Sequence, residues 1–251
     1  MQKIREQEYD LAVDMQGLAR SAAMLFRAKA KRKMGRRDAR EGAILAYPEK
    51  PKLPKGGREA HAVDILREFL PLMGVENKLV STLAFTEPPG SRTIHHLLDR
   101  VEMSQPTILL FPESRRPEKE WPHFKRLTQI LLSEQTGINV IWAGSNPMEP
   151  ADHWPRNRFL NLTGQTKIDE LPHLIEKSTL VVANDSGPMH LAAAMGTPVL
   201  AIFGPTEVSR YGPYPPGEPG RDVITAPDGD LSALSVERVY AKLLTTAGID
   251  E

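Results

Sequence analysis

Apolar positions along the chain follow two periods. Residues Tyr9-Asp10-Leu11-Ala12-Val13-Asp14-Met15 form a short apolar run punctuated by acid, which predicts a strand ending at the Gln16-Gly17 turn. From Leu18 to about Ala30 the spacing becomes helical, with Leu18, Ala22, Leu25 and Phe26 on one face. A short strand is expected near Ala43–Tyr47. Pro48–Gly57, rich in proline, lysine and glycine, reads as a loop. Helical spacing returns over His61–Met73 through Val63, Ile65, Leu66, Phe69 and Leu70. Residues 86–93 (TEPPGSRT) and 104–106 (SQP) read as the hinge between two domains.

Beyond the hinge the pattern is regular. Strands are predicted at Thr107–Phe111, Ile138–Ala143, Phe159–Leu162, Leu180–Ala183, Pro198–Phe203 and Asp222–Thr225. Helices are predicted at Pro122–Ser133, Ile168–Lys177, Pro188–Met195 and Ser235 to about Thr246. Strands that alternate with helices, two of them apolar throughout (ILLF and VLAIF), call for a parallel sheet covered on both faces. The fold class is α/β, doubly wound. The expected organisation is an N-terminal domain over 1–100 and a C-terminal domain over 101–251, whose last helix packs back on the first.

Composition narrows the chemistry. The 251 residues are 40% hydrophobic, enough to bury a core, and contain no cysteine. That excludes disulfides, a thiolate nucleophile, Cys-type zinc sites and Fe–S clusters. No apolar run approaches the ~20 residues that span a bilayer, and Gln-Lys-Ile-Arg-Glu after Met1 is not a signal peptide, so the default location is the cytoplasm. The zero net charge conceals an asymmetry. Residues 1–60 hold 15 Lys+Arg against 8 Asp+Glu, a net of +7, which leaves −7 for the remainder. Within 27–40 lie eight cations and one anion, either a solvated face or an attraction for phosphate, nucleic acid or an anionic membrane surface. That segment has no aromatic residue for stacking on bases, which argues against nucleic acid.

The most informative segment is LVVANDSGPMHLAAAMGTPVLAIFGPT, residues 180–206. A strand runs into the turn Asn184-Asp185-Ser186-Gly187, and Pro188 is expected at the first helical position, where a missing N–H costs nothing. Ser186 or Asp185 can cap the free amides, and Gly196 ends the helix. A helix start at the carboxyl end of a parallel strand favours an anion such as a pyrophosphate. Asp185 either caps this helix or accepts a hydrogen bond from a ribose hydroxyl. His190 lies on the first turn, as packing residue or ligand contact. A second constellation follows the strand ILLF: Ser114 supplies a hydroxyl, and Arg115, Arg116 and Lys119 supply cations suited to a phosphate leaving group. Dinucleotide, P-loop, nucleophile-elbow and HExxH signatures are absent, and the seven histidines form no ligand cluster, so no metal or cofactor is implied.

These residues resemble glycosyltransferase family 9, the ADP-heptose:lipopolysaccharide heptosyltransferases, and within it the heptosyltransferase I group. The matching pieces are YDLAVDMQGL (9–18), RDARE (37–41), HAVD (61–64), KEWP (119–122), the 184–206 motif and Gly212-Pro213-Tyr214. The resemblance implies two Rossmann-like domains of the GT-B type and inverting transfer of heptose from ADP-heptose to the Kdo-lipid A inner core, without a metal. It implies an enzyme peripheral to the cytoplasmic face of the inner membrane. Ser114, Arg115 and Lys119 would meet the diphosphate. Asp185 would hold the ribose or heptose, and Ser186, Gly187, Pro188, Met189 and His190 would form the helix start beneath the phosphates. Glu149 is the candidate for the adenosine ribose, and Arg40 would face the acidic acceptor. In the family a first strand and a glycine-containing loop carry the Asp proposed as general base. This sequence starts past that unit, so the N-terminal domain is expected to be incomplete and no general base is assigned. Neither Asp14 nor Glu41 matches that position. The alternative reading is a nucleotide-sugar-binding remnant without turnover.

Overall fold

A strand that is apolar on both faces folds stably only between two layers of helices, and the second half of the chain is built on that requirement. The computed structural model describes residues 2–79, 82–85 and 96–249; the expected hinge at 86–93 lies outside them, as does His95. The chain divides into two compact units, 1–79 and 80–251.

The second unit carries a six-stranded sheet, parallel throughout. With β1 and β2 in the first unit, its strands are β3 (Thr107–Phe111), β4 (Asn139–Gly144), β5 (Phe159–Thr163), β6 (Leu180–Asn184), β7 (Val199–Phe203) and β8 (Arg221–Thr225), in spatial order β5-β4-β3-β6-β7-β8. Alternate residues of each strand serve opposite faces, as a period of two requires. Ile108, Leu110, Val140, Trp142, Val182, Leu200 and Ile202 join one core. Leu109, Phe111, Ile141, Val181, Ala183, Val199 and Phe203 join the other. Over the first core lie the helices Phe124–Glu134 and Val236–Ala247; over the second lie Leu171–Glu176 and Gly187–Met195. The terminal helix, expected to pack back on the N-terminal domain, buries Val239, Leu243 and Leu244 in this unit's own core. Its amphipathic stripe matches that sheet face, and each such side chain contributes ~1.5–3 kcal/mol on burial. Every strand and helix foreseen after residue 106 is present, with ends shifted by a few residues.

The first unit is a β-α-β element. β1 (Glu8–Asp14) runs parallel to β2 (Lys29–Gly35) and is joined to it by the helix Ala19–Arg27. Three expectations change here. The helix ends at Arg27, and Phe26 is 71% exposed while Ala22 and Leu25 are buried. Phe26 lies only ~40° around the helix from Ala22, so helical spacing alone does not decide its exposure. Ala43–Ala46 is a 3₁₀ turn, not a strand. The strand lies instead in the basic stretch, which has no apolar alternation to announce it, and one ion pair, Lys31–Asp10, supports its register against β1. Lys31 pairs with Asp10 at 2.8 Å, Arg32 with Glu49 at 2.6 Å, and Arg36 meets Asp38 at 2.6 Å. Three of the eight cations over 27–40 therefore meet carboxylates of the same unit. The helix expected over 61–73 is two pieces, Ala62–Arg67 and Phe69–Leu72, which bury Ile65 and Phe69.

Asp14 fastens this unit at the carboxyl end of β1. Its Oδ1 accepts the Gln16 and Gly17 amides at 2.9 and 3.0 Å, and its Oδ2 accepts the Tyr47 hydroxyl at 2.5 Å. Gly17 has φ +73°, and a Cβ there would press on the Arg36 side chain at 3.1 Å. Burial alone would raise the Asp14 pKa. The hydrogen bonds from Tyr47, Gly17, Ser21 and Gln16 outweigh it and hold the carboxyl below its ordinary value, while burial and then Asp14 raise the Tyr47 phenol. A depressed carboxylate contributes stability that is present above its unfolded pKa, about 3.9, and lost as pH falls through the folded one. Hydrogen-exchange protection of the Gln16 and Gly17 amides, corrected for intrinsic rates, should therefore fall between about pH 6 and pH 3. The same comparison in Asp14→Asn should show a smaller fall. Equal protection of the wild type at both pH values would refute this role.

Candidate functional site

In the order β5-β4-β3-β6-β7-β8 the chain leaves β3 and β6 toward opposite faces of the sheet, and such a switch point opens a crevice at the carboxyl ends of the two strands. Two charged side chains meet there. Lys119, at the end of the 3₁₀ turn Pro117–Lys119 beyond β3, brings its Nζ 2.5 Å from Oδ2 of Asp185, the first residue after β6. The two side chains are 15% and 7% exposed. Thr206, just beyond β7, donates its hydroxyl to the same Oδ2 at 2.7 Å. Segments following three neighbouring strands thus converge on one carboxylate.

The loop that delivers Lys119 is fixed from below by Asn184, the fully buried last residue of β6. Its Oδ1 accepts the Trp121 amide at 3.0 Å and its Nδ2 donates to the Pro112 carbonyl at 2.9 Å, so one side chain holds both ends of the loop. Inside the loop, Glu120 accepts the Ser114 amide at 2.8 Å. Glu113 accepts the amides of Ser145 and Asn146, which ties the loop to the end of β4. A Cβ on Gly144 would lie 3.0 Å from that Glu113 carboxylate, which explains the glycine. The Trp121 indole donates to the Leu234 carbonyl at 2.9 Å and stacks edge-on against Phe124.

The helix Gly187–Met195 starts on the opposite side of the crevice. Ser186 is its N-cap, yet no side-chain cap forms: the Ser186 hydroxyl donates to the Asn184 carbonyl at 3.1 Å. Asp185 is engaged by Lys119 and Thr206 instead. The capping expected from either residue is therefore replaced, by a local backbone bond at Ser186 and by bonds across the crevice at Asp185, and no side-chain cap takes up the first-turn amides. Gly187 is the first helical residue and Pro188 the second, one place later than expected and equally harmless in the first turn. A Cβ on Gly187 would meet nothing within 4 Å, so a ligand can approach the backbone closely at that point.

The other expected residues are distributed as follows. Ser114 is half-buried, and its Oγ accepts the Arg116 amide at 3.4 Å; Arg115 is exposed beside it. His190 is exposed on the first turn, whereas the Met189 side chain is fully buried in the core and leaves only its backbone for a ligand. Glu149 is exposed in the segment after β4. Arg40 belongs to the first unit; its side chain is exposed and its amide donates to the Gly17 carbonyl at 2.9 Å. Next to it, Glu41 has φ 55° and accepts the Ala19 amide at 3.0 Å at the start of the helix Ala19–Arg27. Among the described residues no three His, Asp or Glu side chains gather as a metal would require. Sequence reasoning assigned no role to Asn184, Glu113, Glu120 or Thr206. For Asn184 one signal existed: a lone amide closing an otherwise apolar strand.

The doubly wound sheet thus brings a cation, a buried carboxylate and an uncapped helix start to its switch point, the place where open α/β sheets bind ligands. The family model of glycosyltransferase family 9 (heptosyltransferase) matches residues 1–220, and the chain belongs to that family. It is similar to the lipopolysaccharide core heptosyltransferase OpsX of Haemophilus influenzae, 26% identical over 225 residues that cover 84% of this chain and 62% of that protein. Lipopolysaccharide heptosyltransferase 1 of Escherichia coli K12 is also 26% identical, over 250 residues covering 96% of this chain and 74% of that one. The chain thus spans between three-fifths and three-quarters of the length of these relatives. In fold it resembles E. coli heptosyltransferase WaaC, solved with ADP: TM-score 0.73 at 23% identity, covering 98% of this chain and 75% of WaaC. The expected α/β class with parallel sheets and the expected family are both borne out.

Asn184→Ala tests the loop staple. It strands a buried amide and a buried carbonyl, which costs ~1–3 kcal/mol. The urea midpoint should fall accordingly with an unchanged slope; a midpoint equal to wild type would show that the loop is held by other contacts.

Proposed function

We propose that this protein transfers heptose from ADP-heptose to the Kdo-lipid A inner core of lipopolysaccharide, with inversion at the anomeric carbon. The observation that carries this reading is the meeting of Lys119 and Asp185 at the switch point, beside the uncapped start of the helix Gly187–Met195. WaaC, whose fold this chain shares, was solved with ADP, and the similar curated proteins are named lipopolysaccharide heptosyltransferases.

In the transfer an acceptor hydroxyl forms a bond to the anomeric carbon and loses its proton, while the bond from that carbon to the β-phosphate oxygen breaks and ADP leaves. Negative charge grows on the β-phosphate. Lys119, the Ser114 hydroxyl, Arg115 and the amides at Ser186, Gly187 and Met189 supply donors for it, Pro188 sets the backbone without one, and the His190 side chain is exposed beside them. Donors positioned beforehand contribute most in the transition state, where the charge is largest. Asp185 takes a hydroxyl of the ribose or heptose, and Glu149 takes the adenosine ribose. Arg40 faces the acidic acceptor on the N-terminal side, 1–100 in the domain assignment proposed here. Asp14 and Glu41 both serve the fold, so neither is assigned as general base.

Among the described residues no helix is long and apolar enough to cross a membrane. The +7 charge of residues 1–60 supports a peripheral position at the anionic cytoplasmic face of the inner membrane, where the glycolipid acceptor lies.

Mass spectrometry of Kdo-lipid A incubated with the protein and ADP-heptose should show one added heptose. Lys119→Ala should slow that transfer by roughly 10²–10³-fold, the scale for removing one preorganised donor. No mass gain with the wild type would sink the proposed reaction; equal rates would remove Lys119 from it.

A further inference from the structure

Two donors share one oxygen of a buried carboxylate: the Lys119 ammonium and the Thr206 hydroxyl both reach Oδ2 of Asp185, at 2.5 and 2.7 Å. They come from different strand ends, so either can move without the other. Under the reading above, Lys119 serves the diphosphate, and every step it takes toward a phosphate oxygen withdraws the charge partner of a side chain only 7% exposed. A buried carboxylate stripped of its donors is costly and would hold the lysine back. Thr206 is the donor that remains.

Thr206 is also well anchored. Two residues earlier, a Cβ on Gly204 would lie 2.7 Å from Leu231 and 3.0 Å from the Gly229 carbonyl, and a Cβ on Gly229 would lie 3.4 Å from the Pro205 backbone. The exit of β7 is thus packed directly against the turn around Gly229. Its backbone has little freedom, and the hydroxyl is held where the carboxylate needs it.

We propose that Thr206 is a positioning residue for the nucleotide-sugar site: its hydroxyl holds Asp185 in place and thereby frees Lys119 for the diphosphate. This rests on the nucleotide-sugar reading of the site. Thr206 acts through Asp185, to whose Oδ2 its hydroxyl donates.

The test is calorimetric titration of the full chain with ADP, alongside steady-state kinetics with ADP-heptose and acceptor. Thr206→Val keeps the side-chain shape and removes the hydroxyl. It should weaken ADP binding about tenfold, the scale of a hydrogen bond to a charged group. It should raise the KM for ADP-heptose by a similar factor and leave the acceptor KM unchanged, whereas a general loss of fold would move both. Thr206→Ser, which restores the hydroxyl, should return to within about threefold of wild type. Thr206→Ala serves as the second hydroxyl-free variant and should match the valine. Wild-type affinity in the Val or Ala variant, or no recovery in the Ser variant, overturns the inference and leaves the nucleotide reading standing. A wild type that does not bind ADP overturns the reading itself, and the inference with it.

Discussion

The ion pair between Lys119 and Asp185 depends on one topological fact: β3 and β6 are neighbours whose following segments leave on opposite faces. A lysine and an aspartate 66 residues apart in the chain come to 2.5 Å only because these two strands lie side by side in parallel register. The pair is mostly withdrawn from water, so each charge needs the other. The Asn184 staple satisfies the neighbouring backbone groups, which makes the loop beyond β3 part of the sheet's own hydrogen-bonding scheme. The ion pair and the structural hydrogen bonds of the loop are therefore built on adjacent residues, Asp185 and Asn184, at the end of one strand.

Charge plays a different part in the first unit. The cluster over 27–40 has the composition of an anion-binding patch, yet Lys31, Arg32 and Arg36 each meet a carboxylate of the same unit. The exposed Lys31–Asp10 pair contributes little to stability, but it spans β1 and β2 and favours one register for a strand that has few apolar side chains to define it. What remains for an acidic partner is the excess of positive charge and exposed side chains such as Lys29 and Arg40. The long-range field of the unit persists, and part of its close-range specificity is spent internally.

The parts of the fold legible in sequence were those announced by periodicity. β3, β4, β6 and β7 are largely apolar runs, and the helices Phe124–Glu134 and Val236–Ala247 carry stripes matching one sheet face, so β3 through β8 are legible with small errors at their ends. β2 was missed because Lys29–Gly35 spends its alternation on lysine and arginine. Phe26 was misjudged because a helix face read from composition does not say where the neighbouring chain stops covering it. Within the site, Lys119 and Asp185 were legible as chemistry because both follow apolar strands, although their contact was not.

By itself, the sequence determined the α/β class, the succession of strands and helices after residue 106, the turn at 184–187 that opens the following helix, and the family. All of these follow from local periodicity or from residues adjacent in the chain. Only the tertiary structure decided that Ser186 turns its hydroxyl away from the helix amides, that Met189 belongs to the core, and that Asn184 and Thr206 support the site. The reason is physical: a polar side chain's role depends on which donors and acceptors burial brings within ~3 Å of it. In this protein those partners lie on other strands, at distances along the chain that no local pattern records.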